Sequence, residues 1–231
     1  KMGYGKNDAR RCRSGILYTL GQLSDEGHVY AEREQLVQAA CTLLEADAAP
    51  VCEALERMIL SEELITEREA IYLPAFYHAE CGAARRLKEL AESAGRTLFT
   101  TELDPGVLTA ETGIDYDDVQ LAAIRQAVTS KVIVLTGGPG TGKTTTTQGI
   151  IAALKKAGLR VLLAAPTGRA AKRMSEATGM DAKTIHRLLE YNPQDGYKRG
   201  DENPLDGDAL IVDECSMIDI LLMNNLMKAV P

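Results

Sequence analysis

The sequence lacks an excess of positive charge, a long apolar run and any cysteine spacing typical of a metal site. It carries 26 Lys and Arg against 33 Asp and Glu, a net charge of −7, which argues against non-specific nucleic-acid affinity across the whole surface. No apolar run approaches the ~20 residues that a membrane span needs, and no signal peptide is recognisable. We therefore expect a cytoplasmic protein with no membrane partner.

The five cysteines are odd in number and widely spaced, and none forms a CxxC pair. Reduced thiols of an intracellular protein are the simplest interpretation. An apolar fraction of 45% in 231 residues is enough for one large domain or two small ones. Residues 97–124 contain no Lys or Arg and accumulate acidic residues, Pro and Gly, which favours a boundary there.

We predict a first domain over residues 1–96, an acidic linker over 97–118 and a second domain over 119–231. In the first domain, apolar residues at three- and four-residue spacing predict short helices, and the segment 64–73 predicts a β-ribbon. The predicted helices cover 10–23, 32–44, 50–60 and 74–93. This order suggests a small, mainly helical, winged-helix-like module. Such modules bind DNA or act as protein scaffolds, and the sequence leaves both open.

The run KVIVLTGGPGTGKTTTT, residues 131–147, predicts a site for a nucleoside triphosphate. It satisfies the pattern G-x-x-x-x-G-K-[ST], in which glycines let backbone amides close around phosphate oxygens. Lys143 supplies a positive charge to the β and γ phosphates, and the Thr144 hydroxyl is a ligand for Mg²⁺. The apolar run 132–135 predicts a strand buried on both faces, and a helix follows the loop. The predicted nucleotide-binding residues of the loop are Gly138, Pro139, Gly140, Thr141, Gly142, Lys143, Thr144 and Thr145.

A second motif, ALIVDECS at residues 209–216, ends an apolar strand in two carboxylates. Asp213 is predicted to hold the Mg²⁺ shell together with Thr144, and Glu214 to orient or deprotonate the attacking water. Lys143 and Glu214 are thus the predicted catalytic residues, with ATP and Mg²⁺ as the implied ligands.

Alternating elements predict the α/β fold class for the second domain, with a doubly wound parallel sheet. Strands are expected over 131–136, 160–165 and 209–213. Helices are expected over 143–157, 168–178 and 216–229. The segment 191–208 is rich in Asn, Pro, Gly and Asp, and predicts an exposed, mobile excursion.

Two further segments narrow the class. APTGRAAKR at 165–173 follows the second strand, and TIHRLL at 184–189 comes soon after. Together with GGPGTGKTTT and LIVDECSMID, they resemble the RecD/TraA branch of superfamily 1 helicases, which includes the exodeoxyribonuclease V alpha subunit. The resemblance covers nearly the whole chain and is most specific over 120–219. It implies a P-loop RecA-like domain as the fold of the second half.

The resemblance also implies a function and further site residues. The activity would be that of an ATP-dependent 5′→3′ DNA helicase moving on single-stranded DNA in recombination or repair, with other repair subunits as partners. Gln120 would read the adenine, since its amide both donates and accepts. Four residues would contact DNA backbone phosphates, namely Thr167, Arg169, Thr184 and His186.

The family pattern contains parts that these 231 residues lack. One is a second RecA-like domain whose arginine completes the ATP site. Another is the strand carrying the sensing motif, which in the family lies between the P-loop strand and the strand ending at Asp213. We therefore expect the chain to be a piece of a longer protein, inactive as a hydrolase when isolated. Without the sensing-motif strand, its sheet would have an open slot with unpaired edges, unless the fold compensates for it.

Other interpretations remain open on the sequence. GPGTGKT and a strand ending in Asp-Glu also occur in AAA-type ATPases that act on proteins, although APTGRAA and TIHRLL argue against that class. A nucleotide-binding adaptor without turnover is a third option. For single residues, Gln120 is alternatively an ordinary surface residue, and His186 a packed helix histidine.

Overall fold

A computed structural model describes residues 5–93, 104–138 and 140–231. The chain divides into two compact units. The first runs to Gly82 and includes Asp219–Leu221, and the second comprises Ala83–Ile218 and Leu222–Pro231. Within the described ranges, no helix has the length and apolar character needed to cross a membrane.

The first unit combines helices with a small antiparallel sheet. Its elements in chain order are α1 (Ala9–Asp25), β1 (Tyr30–Glu32), α2 (Arg33–Leu44), α3 (Ala48–Leu60), β2 (Ile65–Glu67), β3 (Ala70–Tyr72) and α4 (Pro74–Glu92), which continues into the second unit. The strands pair in the order β1-β3-β2. Apolar faces of the first three helices and β3 close one core, in which Ile16, Leu36, Val51 and Ile71 are fully buried.

The predicted helices of this unit are confirmed to within two residues at each end, and the ribbon over 64–73 is confirmed as β2 and β3. Strand β1 was not predicted. It is three residues long, too short for an alternating pattern, and exists because Tyr30 pairs with Tyr72 across the sheet. The winged-helix-like assignment of the unit stays a prediction.

The second unit contains the P-loop segment and a three-stranded parallel sheet. Its elements are α5 (Pro105–Thr112), α6 (Asp118–Thr129), α7 (Lys143–Lys156), β4 (Val161–Ala165), α8 (Gly168–Thr178), β5 (Ala182–Thr184), α9 (Ile185–Leu188), β6 (Ala209–Val212), a 3₁₀ turn (Cys215–Met217) and α10 (Ile220–Ala229). The strand order is β5-β4-β6, with both pairs parallel. This agrees with the α/β parallel-sheet prediction for this half of the chain.

Helices α5, α6 and α7 pack together beside the sheet. Leu108, Ile124 and Leu154 are buried in one cluster, and Ile211 of β6 packs against it. The contact of α6 with α7 is close: a Cβ added at Gly149 would lie 2.4 Å from the Cδ1 of Ile124. The stretch assigned to an acidic linker thus contains α5, because Leu108 contributes to this core.

The predicted strand at 131–136 is wrong. Residues 132–138 form no strand, and the Val134 side chain is 80% exposed. Among the described residues, β6 pairs only with β4, and all four of its residues are half-buried. A strand needs a neighbour for its backbone N–H and C=O groups. In the part of the chain that the structure describes, no strand lies beside the apolar run next to the P-loop, which agrees with the open slot implied by the family pattern.

The segment 191–208 is mostly exposed, as predicted, and hydrogen bonds hold its turns. Short bridges pair Asn192 with Gly196 and Gly200 with Asn203, and Leu205 N–H donates to the carbonyl of Ala229 at 2.8 Å. Sequence composition shows turns of this kind but does not show whether tertiary bonds hold them. Here they are held.

An ion pair joins the start of β4 to the start of β6. The backbone N–H of Arg160 donates to the Asp208 carboxylate at 2.8 Å, and its guanidinium bonds both Asp206 and Asp208. The backbone bond, followed by the side-chain bond, lowers the pKa of Asp208 below its ordinary value of 3.8. Hydrogen bonds from Asp206 and then Asp208 raise the pKa of Arg160.

This pair predicts a pH-dependent stability. A carboxyl whose pKa is lower in the folded state stabilises that state above its unfolded pKa and stops doing so as pH falls through the folded value. Asp208→Asn should therefore lower the melting temperature at pH 7, and the difference from wild type should shrink as pH falls below 3.8. Thermal scans across pH test this, with Asp201→Asn at an exposed turn as the control. A pH-independent difference would contradict the assignment.

Candidate functional site

The loop at residues 137–142 depends on glycine at two backbone positions. Gly140 has φ +75° and Gly142 has φ +78°. Residues with a Cβ atom disfavour this left-handed conformation. A Cβ at Gly137 would lie 2.6 Å from the Thr141 Oγ1. The Thr141 hydroxyl donates to the Gly138 carbonyl at 2.9 Å and closes the turn. The loop is thus compact, although Pro139, predicted to shape it, lies outside the described residues.

Lys143 is the first residue of α7 and is exposed. Its Nζ donates to the carbonyls of Gly137 at 2.5 Å and Gly138 at 2.7 Å. An ammonium held over the loop by neutral acceptors is free to exchange these bonds for stronger ones to phosphate oxygens. The positive end of the α7 dipole adds to the attraction for anions at the same place.

Four threonines follow the lysine and have different environments. Thr144 is exposed, and Thr145 is half-buried. Thr146 is buried, and its hydroxyl donates to the Gly142 carbonyl at 3.1 Å. The Thr147 hydroxyl donates to the Lys143 carbonyl at 2.9 Å. The hydroxyls of Thr146 and Thr147 therefore stabilise the first turn of α7, and the Thr144 hydroxyl remains the predicted Mg²⁺ ligand.

Gln120 lies against the loop. A Cβ at Gly142 would meet the Gln120 Nε2 at 2.4 Å. Gln120 also completes a capping box: its Oε1 accepts from the Asp117 N–H at 3.1 Å, and its own N–H donates to the Asp117 carboxylate at 2.8 Å. The box fixes the amide with its nitrogen toward the loop. Asp117 is thus a positioning residue that sequence reasoning missed, although its spacing from Gln120 is the capping-box signal.

Asp213 and Glu214 follow β6 and are both exposed. The Asp213 N–H donates to the Ala164 carbonyl at 3.0 Å, which extends the β4–β6 ladder by one bond. Its carboxylate accepts from the Glu214 N–H at 2.9 Å. Glu214 has φ 54° and ψ 42°, a left-handed conformation that costs a non-glycine residue roughly 1–3 kcal/mol. A strained backbone therefore stands at the predicted catalytic glutamate.

Cys215 follows the two carboxylates. Its thiol donates to the Val212 carbonyl at 3.3 Å. Burial first, and the Asp213 charge second, raise the pKa of this thiol above 9.0. The raised pKa favours the protonated form of this exposed thiol.

The helix that follows the loop and the strand that ends at the two carboxylates pack against each other. Ile151 of α7 and Ile211 of β6 pack in the same apolar cluster. No hydrogen bond or ion pair among the described residues joins Lys143 or Thr144 to Asp213 or Glu214. The described part of the chain also holds no group of three His, Cys, Asp or Glu that would form an all-protein metal cage. One hydroxyl and one carboxylate still fit Mg²⁺, which typically takes its other ligands from phosphates and water.

Two predicted DNA-binding threonines lie at neighbouring strand ends. Ala165 at the end of β4 pairs with Thr184 at the end of β5, so both parallel strands finish at one sheet edge. Thr167 and Thr184 are helix N-caps: their hydroxyl oxygens accept from Ala170 N–H and Arg187 N–H, each at 3.2 Å. Each hydroxyl proton is then available to donate to a phosphate oxygen. Arg169 and His186 are exposed in the first turns of α8 and α9.

Gly142 gives a test of the loop geometry that needs no ligand. Gly142→Ala should lower the free energy of unfolding by about 1–3 kcal/mol, because a Cβ there is strained and collides with Gln120. Gly168→Ala is the matched control, since it starts α8 and its Cβ would meet nothing within 4 Å. We expect that control to be neutral or slightly stabilising. Urea unfolding measures both, and equal stability of Gly142→Ala and wild type would contradict the geometry.

A glycine loop at the start of α7, an apolar strand ending in Asp-Glu and a parallel sheet define a P-loop nucleotide-binding domain of the RecA-like type. Residues 120–231 match the AAA domain family. The chain is 39% identical over 180 residues to the ATP-dependent RecD2 DNA helicase of Deinococcus radiodurans, covering 75% of this chain and 24% of that protein.

Two relatives named RecBCD enzyme subunit RecD are also similar. That of Mycolicibacterium smegmatis is 39% identical over 136 residues, or 48% of this chain and 24% of the relative. That of Haemophilus influenzae is 37% identical over 137 residues, or 48% and 21%. The chain belongs to the RecD-type superfamily 1 helicases, and it spans about a quarter of the length of these relatives.

Proposed function

We propose that this chain is the ATP-binding half of a DNA helicase that moves on single-stranded DNA, 5′→3′, in recombination or repair. The observation that carries the proposal is the shared sheet edge where Thr167 and Thr184 cap two helices, each with a hydroxyl proton to donate. Backbone phosphates are the acceptors that such an edge suits. The names of the relatives support DNA as the substrate.

ATP would bind on the loop at residues 137–142. The loop amides and Lys143 would hold the phosphates, Thr144 and Asp213 would hold Mg²⁺, and the bound metal would neutralise charge on the transferred phosphoryl group. Glu214 would then orient the attacking water and accept its proton. Gln120, fixed by Asp117, would contact the adenine with its Nε2.

A complete motor requires an arginine and a second RecA-like domain from outside these residues. The exposed Val134, and the side of β6 that pairs with no described strand, support the absence of the strand with the sensing motif, since a strand between them would cover both. Two relatives are named as RecBCD subunits, and partner subunits of a recombination complex are therefore proposed for this protein as well. The same relatives argue against a protein-directed AAA-type ATPase. The domain bounds at 1–96, 97–118 and 119–231 and the winged-helix-like first domain are part of this proposal.

Salt dependence tests the DNA assignment. On the full-length protein, the logarithm of the affinity for a labelled single strand should fall by roughly 0.7 per phosphate neutralised, for each tenfold rise in salt. Arg169→Ala should reduce that slope by up to about one contact and weaken all sequences alike. Fluorescence anisotropy across a salt series measures it.

The matched control is Lys172→Ala on the same helix, because Lys172 already pairs with Glu176 at 3.7 Å. We expect little change of slope there. Absence of single-strand binding at low salt, or a slope unaltered in Arg169→Ala, would favour the protein-directed ATPase instead.

A further inference from the structure

Three aromatic rings gather on the surface after α9. The His186 ring lies 5.5 Å from that of Tyr191 and 6.0 Å from that of Tyr197, and the two tyrosine rings are 4.8 Å apart. Tyr191 is 46% exposed, and His186 is exposed too. Only 4% of the residues are Phe, Trp or Tyr. Two of these few tyrosines lie beside His186 at the surface.

The backbone under these rings is firmly tethered. Lys198 N–H and Arg199 N–H both donate to the Leu189 carbonyl at 3.2 Å, and Tyr191 N–H donates to the His186 carbonyl at 2.9 Å. The Arg199 guanidinium bonds Glu190 at 2.7 Å and the Pro204 carbonyl at 3.1 Å. The backbone that carries the rings is therefore held before any ligand binds, which lowers the backbone entropy lost on binding.

Three cationic side chains near the rings differ in whether they form ion pairs. Arg199 is neutralised by Glu190. Arg187 and Lys198 have no ion pair among the residues that the structure describes, and both are exposed. Together with His186, Glu190, Tyr191 and Asn192 they line a cleft of about 360 Å³. The cleft thus combines ring faces with two cations available to an anion.

We propose that this cleft is a stacking site for one base of a single strand, with Tyr191 and His186 as the platform and Lys198 and Arg187 contacting the flanking phosphates. The inference rests on the proposed DNA function and adds base stacking to it. Thr184 lies two residues before His186, so a strand bound at the sheet edge reaches the rings directly. Stacking accepts any base, as a translocating protein requires.

A purely structural role for the rings is the competing explanation. Rings that only hold the segment 189–205 in place would do so best when buried, whereas Tyr191 keeps nearly half its surface in water. The two roles differ in one measurable respect. A platform discriminates an intact strand from one lacking a base, and a scaffold does not.

The experiment compares an intact oligonucleotide with a matched one carrying abasic sites, by anisotropy on the full-length protein. Wild type should prefer the intact strand, and Tyr191→Ala should remove that preference while weakening intact DNA by about 5- to 150-fold. Tyr191→Phe keeps the ring and should behave as wild type. Tyr18→Ala, at a 57% exposed tyrosine of the first unit, is the control. Lys198→Gln should reduce the salt slope by about 0.7 without changing the base preference.

If Tyr191→Ala weakens binding of intact and abasic strands equally, the stacking proposal is wrong, whereas the proposed DNA function is unaffected. If that variant does not fold, Lys198→Gln decides, and an unchanged salt slope overturns the proposal. A wild type that binds no single strand at all would overturn both this proposal and the proposed function.

Discussion

Replacing Lys143 with alanine is expected to weaken MgATP binding at least about a hundredfold. A hydrogen bond to a charged group contributes about 1.5–3 kcal/mol, and the ammonium has two acceptors to exchange for phosphate oxygens. Two such bonds amount to about 3 kcal/mol or more, and each 1.4 kcal/mol is roughly a factor of ten. The fold should be unaffected, because Lys143 is exposed and bonds only its own loop.

Isothermal calorimetry measures this, with thermal denaturation as the check on folding. Lys155→Ala is the matched control: it removes an exposed lysine from the last turn of the same helix, far along the chain from the loop. ATP affinity should be unchanged there. A Lys143→Ala variant that binds MgATP like wild type would mean that the loop is not the phosphate site.

The second large effect concerns hydrolysis. In the full-length protein, Glu214→Gln should retain ATP binding and lose DNA-stimulated turnover by about 10²–10⁴-fold, the usual contribution of a positioned general base. The amide keeps the size of the side chain but no longer accepts the water proton. The strained backbone at φ 54° is the same in both, so the comparison isolates the chemistry.

Glu202→Gln, at an exposed turn of the same unit, controls for the loss of one negative charge. Steady-state turnover and nucleotide affinity are measured side by side. The 231-residue chain alone should resemble Glu214→Gln, binding nucleotide with negligible turnover, because an arginine supplied in trans contributes about 10³–10⁵ in rate at comparable sites. Turnover of several per second by the isolated chain would show that its site is complete without a second domain.

Local sequence was sufficient for the helices of the first unit and for α7 and α8. It did not predict α5 or α9, and the helix predicted over 216–229 is a 3₁₀ turn (Cys215–Met217) followed by α10 (Ile220–Ala229). Helix α7 begins at Lys143, directly after the left-handed Gly142, and the glycine pattern marks that position. Helix α8 begins after Thr167 for an equally local reason, a hydroxyl that accepts from the chain three residues on. Periodicity gave the helices of the first unit to within two residues. Helix caps and helical periodicity depend on residues only a few positions apart, so the local sequence shows them directly.

Elements whose formation depends on distant partners were decided by the tertiary structure. The run 132–135 has the composition of a buried strand, yet it forms none, since no strand among the described residues pairs with it. Strand β1 has no strand pattern, yet it forms because Tyr72 lies opposite Tyr30. The ring cluster of His186, Tyr191 and Tyr197 likewise depends on bonds that fold the chain back on Leu189.

The sequence by itself therefore determined which residues make up the predicted nucleotide site, because the glycine pattern, a lysine charge and a carboxylate pair are properties of the residues and their spacing. Only the tertiary structure decided which apolar runs become strands, how Asp117 fixes the Gln120 amide beside Gly142, and which surface rings meet. Those outcomes depend on partners far along the chain, whose positions are set by packing and long-range hydrogen bonds.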